Sequence, residues 1–244
     1  MAEWYEDWFD TVEYLNVYKH RNDEDAKRLV QLILNNVSLK KGADVLDLAC
    51  GAGRHSILFA KKGFKVTAVD LSKNLLSVAK RSAEEAGADI NFIRSDIRDF
   101  SISSKFDLAV NLFTSFGYFR SDEANFKMFR IAADHLNGSG YFVMDYLNKR
   151  YIENNLVPLS EEDIEGGKII QERKIEGKRV IKTIKILKNG SDSEFYESVR
   201  MYSIDELKNI LSETGFEIKN IYGDSDGKSF DLETSPRIIF IARR

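Results

Sequence analysis

Three aspartates fall at or near the ends of three successive apolar runs: Asp47 in "VLDLA", Asp70 in "VTAVD" and Asp96 in "INFIRSD". The first run leads into "CGAGRHS", so Gly51 and Gly53 separate it from the helical pattern "RHSILFAKKG". A glycine turn between strand and helix lets backbone amides approach a ligand, and the helix N-terminus favours negative charge there. A dinucleotide loop needs G-x-G-x-x-G, but Ser56 stands at the third glycine, and the G-x-x-x-x-G-K-[ST] phosphate loop is absent too. Asp47 would repel a diphosphate, yet it could accept hydrogen bonds from an amino group, directly or through water. Asp70 lies 17 residues beyond Gly53, near the spacing of about 20 at which such an acid meets ribose hydroxyls. Asp96 occupies the same register and could accept from an exocyclic adenine amine; it is preferred to Asp99 because it follows the apolar run directly. Three acids at consecutive strand ends suit an adenosine linked to an amino acid, without phosphates.

The remaining reactive types in this stretch point to packing. Cys50 has no sequence neighbour positioned to activate it and reads as a small residue in a tight turn. His55, beside Arg54 at the helix start, reads as a local hydrogen-bonding group and not as a base.

The elements that must carry these residues follow from periodicity. From Ala43 onward, "ADVLDLA", "KVTAVD", "INFIRSD", "FDLAVNLF" and "GYFVMDY" alternate with helical patterns, which predicts a parallel sheet with crossover helices on both faces. Gly63 and Gly87 fall just past two of those helices, where a left-handed cap favours glycine. Ahead of the first strand lie "WYEDWFDTVEYLNVYKH" and "DEDAKRLVQLILNNV", read as two helices, the second capped by Asn22 or Asp23. After Tyr151, "KIIQERKIEG", "KRVIKTIKILKNG" and "DSEFYESVRMY" read as antiparallel strands joined by Glu-Gly and Asn-Gly turns. Ser203 and Glu206 then form a capping box, and "SPRIIFIARR" is a last strand. The chain divides into a helical cap at 1–40, a core at 41–150 and 202–244, and an antiparallel insert at 151–201. The cap and the part of the insert from about Glu165 to Met201 are expected to cover the ligand site as a lid.

Composition limits the partners. The chain has 244 residues, 36 Lys plus Arg against 39 Asp plus Glu, and a net charge of -3. This balance gives no overall attraction to nucleic acid or anionic membrane and favours a small, weakly charged substrate. With Cys50 as the single cysteine, no internal disulfide is possible, and the 3 histidines show no metal-ligand spacing. No stretch approaches the ~20 apolar residues of a membrane span, and the N-terminus lacks a basic-then-apolar leader, so a cytoplasmic protein is expected. Oligomeric state is left open.

The ordered blocks "VLDLACGAGRHS", "VTAVDLS", "SDIRDF", "FDLAVNLFTSFGYF" and "LNGSGYFVMDY" resemble the class I S-adenosylmethionine-dependent methyltransferases over roughly Lys41 to Tyr146, resuming at Tyr202. The resemblance implies a Rossmann-like α/β fold with a mostly parallel seven-stranded sheet, and S-adenosylmethionine as cofactor. It further implies that Gly51 and Gly53 line the methionine portion, that Asp70 holds the ribose, and that Asp96 with Ile97 frames the adenine. Asp47, Ala49, Leu71 and Asn111 are implied as further cofactor contacts. The segment "YLNVYKHRNDEDAKRLVQLIL" is similar to the entry segment of the glycine N-methyltransferase-like small-molecule branch, which implies that Tyr18 and Arg21 reach the cofactor carboxylate. The Asn- or Asp-Pro-Pro-Tyr signature of amino methyltransferases acting on DNA and protein is absent from "NLFTSFGYF". Asn111, Thr114, Ser115 and Tyr118 are the polar candidates at the acceptor mouth, with Phe113, Phe116 and Phe119 as apolar walls, and no catalytic base is assigned. The implied function is methyl transfer to a small-molecule N or O acceptor. The alternatives are an RNA or protein methyltransferase and a cofactor-binding module without turnover.

Overall fold

The computed structural model describes residues 3–18, 23–188 and 191–244. The alternating runs form β1 (Asp44–Leu48), β2 (Lys65–Asp70), β3 (Ile90–Arg94), β4 (Phe106–Asn111) and β5 (Leu136–Leu147), which pair in parallel. With β10 (Glu217–Tyr222) and β11 (Arg237–Arg243) they make one seven-stranded sheet in the order β10-β11-β5-β4-β1-β2-β3. The last strand, β11, runs antiparallel to both its neighbours, β5 and β10. The chain enters at β1, moves outward to β3 and returns to β4, so the strand order reverses between β1 and β4. Open sheets of this kind bind ligands outside the carboxyl ends at that reversal.

Helices cover both faces. On one side, α6 (Asp122–His135) and α8 (Ile204–Glu213) pack Met128, Phe129, Leu207 and Leu211 against the sheet. On the other, α3 (Asp23–Asn36) and α4 (Arg54–Lys61) contribute Leu29, Val30, Ile33 and Phe59. The central strands are therefore apolar without alternation: Val45, Leu46, Leu108, Ala109 and Val110 are all 0% exposed. Between β2 and β3, α5 (Lys73–Glu85) is capped by Ser72, whose hydroxyl accepts from the amide of Leu75. The capping box of Ser203 and Glu206 opens α8.

The insert is a separate antiparallel sheet, β6 (Leu159–Ile164), β7 (Gly167–Glu176), β8 (Arg179–Lys188) and β9 (Ser191–Arg200), reached through α7 (Lys149–Asn155). Its first strand, "LSEEDI", is one the sequence reading did not include: its three adjacent acids lie at the sheet edge, where charges stay solvated. The Asn189-Gly190 turn lies outside the described residues, although Lys188 and Ser191 pair on either side of it.

The first helical pattern is broken into α1 (Trp4–Trp8) and α2 (Val12–Val17), because Thr11 adopts extended geometry and its side chain accepts from the amide of Tyr14. The two short helices pack on the insert and not on the main sheet: Trp8 and Val17 share a cluster with Ile169, Ile184 and Ile186. By contrast α3 belongs to the main sandwich, so residues 1–40 supply two layers instead of one cap. Of its candidate caps, Asn22 lies outside the described residues.

Candidate cofactor and acceptor site

The glycine loop leaves β1 through three left-handed residues, Ala49, Gly51 and Gly53, with φ of 59°, 56° and 77°. The two glycines serve different needs. A Cβ on Gly53 would stand 2.9 Å from the Ala79 Cβ of α5, so this glycine permits close helix packing and is not part of the cavity wall. A Cβ on Gly51 would meet nothing within 4 Å, and this residue borders the cavity. At the end of β2, the Asp70 carboxylate accepts from the amide of Gly51 at 2.7 Å and from that of Ser72 at 2.9 Å. One acid thus fixes the loop and the start of α5 together.

Above these strand ends lies a cavity of about 350 Å³. Ala49, Gly51, Asp70, Leu71, Asp96 and Ile97 form its sheet side, and Tyr5, Phe9 and Tyr14 of the N-terminal segment close it from above. A second lobe of about 260 Å³ shares Tyr14, Ala49, Gly51, Ser115 and Tyr118 with the first and adds Tyr18, Asp47, Arg54, His55 and Phe113. The aromatic lid residues Tyr5, Phe9 and Tyr14 were missed from sequence. Their signal was the density of rings in the first 18 residues, which a helical period alone assigns to packing. Asp10 also went unnoticed: it accepts from the Ser72 hydroxyl at 2.7 Å and the Asn74 amide at 2.8 Å, latching the turn between α1 and α2 to the start of α5.

The acids differ in state. Asp47 is 2% exposed, and burial pushes its pKa up to about 7 against the opposing hydrogen bond from Ser56 Oγ at 2.5 Å, with the nearby Asp70 charge adding to the rise. Burial also raises Asp70. Burial raises Asp96 as well, but hydrogen bonds and charge from Arg98 outweigh it and leave this carboxyl below its ordinary value. The Arg98 guanidinium in turn lies 4.2 Å from the Phe119 ring centroid. Asp96, not the exposed Asp99, stands on the cavity wall. Burial, helped by the charge of Arg54, pushes His55 down to about 3, so it stays neutral at physiological pH. Burial and two neighbouring carboxylates push the Cys50 thiol up, away from nucleophilic character.

Of the acceptor-mouth candidates, Ser115 and Tyr118 line both lobes, while Asn111 and Thr114 line neither. Asn111 is 0% exposed, and its amide donates to the carbonyls of Leu48 at 2.9 Å and Ser115 at 3.3 Å. It joins the ends of β1 and β4 from inside the core and is neither a mouth residue nor a wall of the cofactor cavity. Thr114 follows Phe113 in the left-handed region, with φ of 63° and 62°, and its backbone bonds Asp145 and the Tyr118 hydroxyl. Tyr18 does border the second lobe, but its hydroxyl donates to Glu197 of β9 at 2.6 Å and receives from Lys182 at 2.6 Å. Arg21 lies outside the described residues.

The donor set selects among nucleotides. The first lobe sets four carboxylates, Glu6, Asp10, Asp70 and Asp96, against one guanidinium, Arg94. Such walls disfavour a diphosphate and suit an unphosphorylated ribose carrying a cationic centre. Among the described residues no cluster of His, Cys, Asp and Glu could hold a metal, and no helix is long and apolar enough to cross a membrane. A family described as a methyltransferase domain matches residues 45–140. Residues 45–140 thus form a methyltransferase domain, and the chain is similar to the class I methyltransferases. It is 25% identical over 224 residues to a protein named as a methyltransferase in Geobacillus sp., covering 88% of this chain and 90% of that one. It superposes on an S-adenosylmethionine-dependent methyltransferase from Clostridium acetobutylicum with a TM-score of 0.81 at 24% identity, over 95% of this chain and 97% of the other. An amino pentose methyltransferase from Micromonospora echinaspora, solved with S-adenosylmethionine bound, gives a TM-score of 0.70 at 18% identity over 96% and 97% of the two chains. The acid-lined, cation-poor cavity over the open face of Gly51 fits S-adenosylmethionine, the cofactor those structural relatives are named for.

Proposed function

We propose that this methyltransferase methylates an amine nitrogen of a small molecule, of the amino-sugar kind, at the junction of the two lobes beside Ser115 and Tyr118. The bound cofactor supplies an activated methyl group on a sulfonium, so the protein's part is to hold donor and acceptor in line and keep water out. In this reading Asp70 accepts the ribose hydroxyls, Asp96 and Ile97 frame the adenine, and Asp47 with Tyr18 receives the amino-acid end, a reading supported by their lining the two lobes. In this proposal α1 and α2 are the lid, the main sheet is the donor platform, and the insert backs the lid. No described insert residue lines either lobe, so its part in covering the mouth is indirect.

The observation that carries the acceptor class is the wall itself, made of aromatic rings and carboxylates. Rings and acids suit an amine-bearing acceptor and repel a polyphosphate backbone, which argues against RNA. Concave lobes of about 350 and 260 Å³ suit small ligands better than a folded macromolecule. A hydroxyl acceptor would normally need a base, and His55, pushed down to about 3, is too weak for that role. The amino pentose methyltransferase among the structural relatives supports the same class.

The test is methyl-labelled S-adenosylmethionine offered with a panel of amino sugars, their neutral hydroxyl counterparts and total RNA. Transfer to amino sugars alone is expected. Label appearing in RNA, or in the neutral sugars in preference to the amines, would overturn the assignment.

A further inference from the structure

No described residue of the insert lines the cavity, yet Arg179, the first residue of β8, donates three of its five side-chain hydrogen bonds to the loop that does. Its Nη1 donates to the carbonyl of Phe119 at 3.1 Å, and its Nη2 to the carbonyls of Gly117 and Tyr118, each at 3.1 Å. The other side of the guanidinium is held by Ser198 of β9, through Oγ at 2.7 Å and the carbonyl at 2.8 Å. Burial lowers the pKa of this arginine, so its cation is partly desolvated among neutral carbonyls. A second tie lies beside it: the Arg200 amide donates to the Gly117 carbonyl at 2.8 Å, and a Cβ on Gly117 would meet the Arg200 carbonyl at 2.8 Å. The loop thus hangs from the base of the insert at three consecutive carbonyls.

Those carbonyls decide where Tyr118 points. Its ring lines both lobes and sits 5.3 Å from the rings of Trp4 and Phe9, while its hydroxyl donates to the Thr114 carbonyl at 2.7 Å. Tyr118 therefore lines the junction of the two lobes while its carbonyl is held by Arg179 of the insert.

We propose that Arg179 is a positioning residue for the methyltransferase site: by gathering the carbonyls of Gly117, Tyr118 and Phe119 it holds the Tyr118 ring against the bound cofactor and so makes the insert a working part of the site. This rests on the cofactor occupying the cavity under Tyr118. The planar fork is what matters, since a lysine ammonium can satisfy one or two of these carbonyls but cannot span all three.

Calorimetry with S-adenosylmethionine on the full chain tests it, using Arg179→Lys, Arg179→Ala, Ser198→Ala, Tyr118→Ala and the Arg179→Lys/Tyr118→Ala pair, each with its Tm. Wild-type protein that fails to bind the cofactor would sink the functional assignment itself and is recognised before any variant is compared. Given wild-type binding, Arg179→Lys is expected to weaken affinity about tenfold and Arg179→Ala further, corresponding to about 1.4 kcal/mol per tenfold. Ser198→Ala, which loosens the arginine's anchor without touching the loop, should leave affinity near wild type. In the Tyr118→Ala background the lysine substitution should cost nothing more, because its effect passes through that ring. Unchanged affinity in both Arg179 variants overturns the proposal. So does a loss that adds in full to that of Tyr118→Ala or that Ser198→Ala reproduces, because Arg179 would then act only on the stability of the insert.

Discussion

Asp47 and Asp70 are both buried beside the glycine loop, but they are stabilised differently. Asp70 is held by backbone amides, those of Gly51 and Ser72 among them, whereas the partner of Asp47 is the Ser56 hydroxyl and its pKa reaches about 7. A carboxyl whose folded pKa exceeds its unfolded value favours folding in its protonated form, so its contribution is present at acid pH and is lost as pH rises from about 4 to 7. Asp47→Asn keeps an acceptor for Ser56 and removes that loss. The cofactor-free variant is expected to be more stable than wild type at pH 8, on the order of 2 kcal/mol or roughly 4–8 °C in Tm, with the difference gone near pH 4. Thermal melts across that range check it. If Asp47 also receives the cationic end of the cofactor, wild-type affinity should improve from pH 6 to pH 8 with release of a proton, visible as a buffer-dependent binding enthalpy. Asp70→Ala is expected to weaken S-adenosylmethionine binding by about ten- to a hundredfold in calorimetry, since it removes charged hydrogen bonds worth roughly 1.5–3 kcal/mol and frees the loop amide. The three acids and Gly51 were legible because strand ends and a glycine turn are local patterns. The burial of Asn111 was not, because the same sequence position serves a mouth or a core depending on how β1 and β4 pair.

The short helices α1 and α2 owe their place to the insert. Trp8 is 1% exposed, lies 4.3 Å in ring centroids from Phe195 of β9, and donates through Nε1 to Glu197 at 2.6 Å. Glu197 also takes the Tyr18 hydroxyl and pairs with Lys182 at 3.8 Å, so one carboxylate joins both short helices to the insert. A five-residue and a six-residue helix do not hold together alone. Trp8→Ala, which opens a core cavity worth about 3–5 kcal/mol, is expected to release the lid before the main sheet melts. Limited proteolysis should then cut within the first 20 residues, and S-adenosylmethionine affinity should fall while the main thermal transition shifts little. Sequence periodicity found most strands and the capping box of α8. It missed β6, whose acids belong to a solvated edge, and it ran α1 into α2 because Thr11 is a cap only when the chain turns there.

At the scale of the whole molecule, the cavity lies between strand ends and loops of residues 45–119 and the side chains of Tyr5, Phe9 and Tyr14, whose short helices are tied to the insert at Glu197. A ligand enclosed by both should stabilise the folded chain according to its free concentration, by about 2.7 kcal/mol at a hundred times Kd. S-adenosylmethionine is expected to raise Tm in step with concentration and to protect the N-terminal segment from protease, and NAD to do neither. The sequence by itself determined the alternating α/β order, the parallel sheet, the acids at the ends of β2 and β3 and the glycine loop of a class I methyltransferase, because these depend on periods of two to four residues and on spacings within one strand-helix unit. Only the tertiary structure decided that α1 and α2 rest on the insert while α3 joins the sandwich, that Gly53 faces Ala79 while Gly51 faces the ligand, and that Arg179 reaches the Tyr118 loop. Those outcomes depend on contacts between residues up to 189 positions apart, where the partner is chosen by packing and desolvation and leaves no local pattern to read.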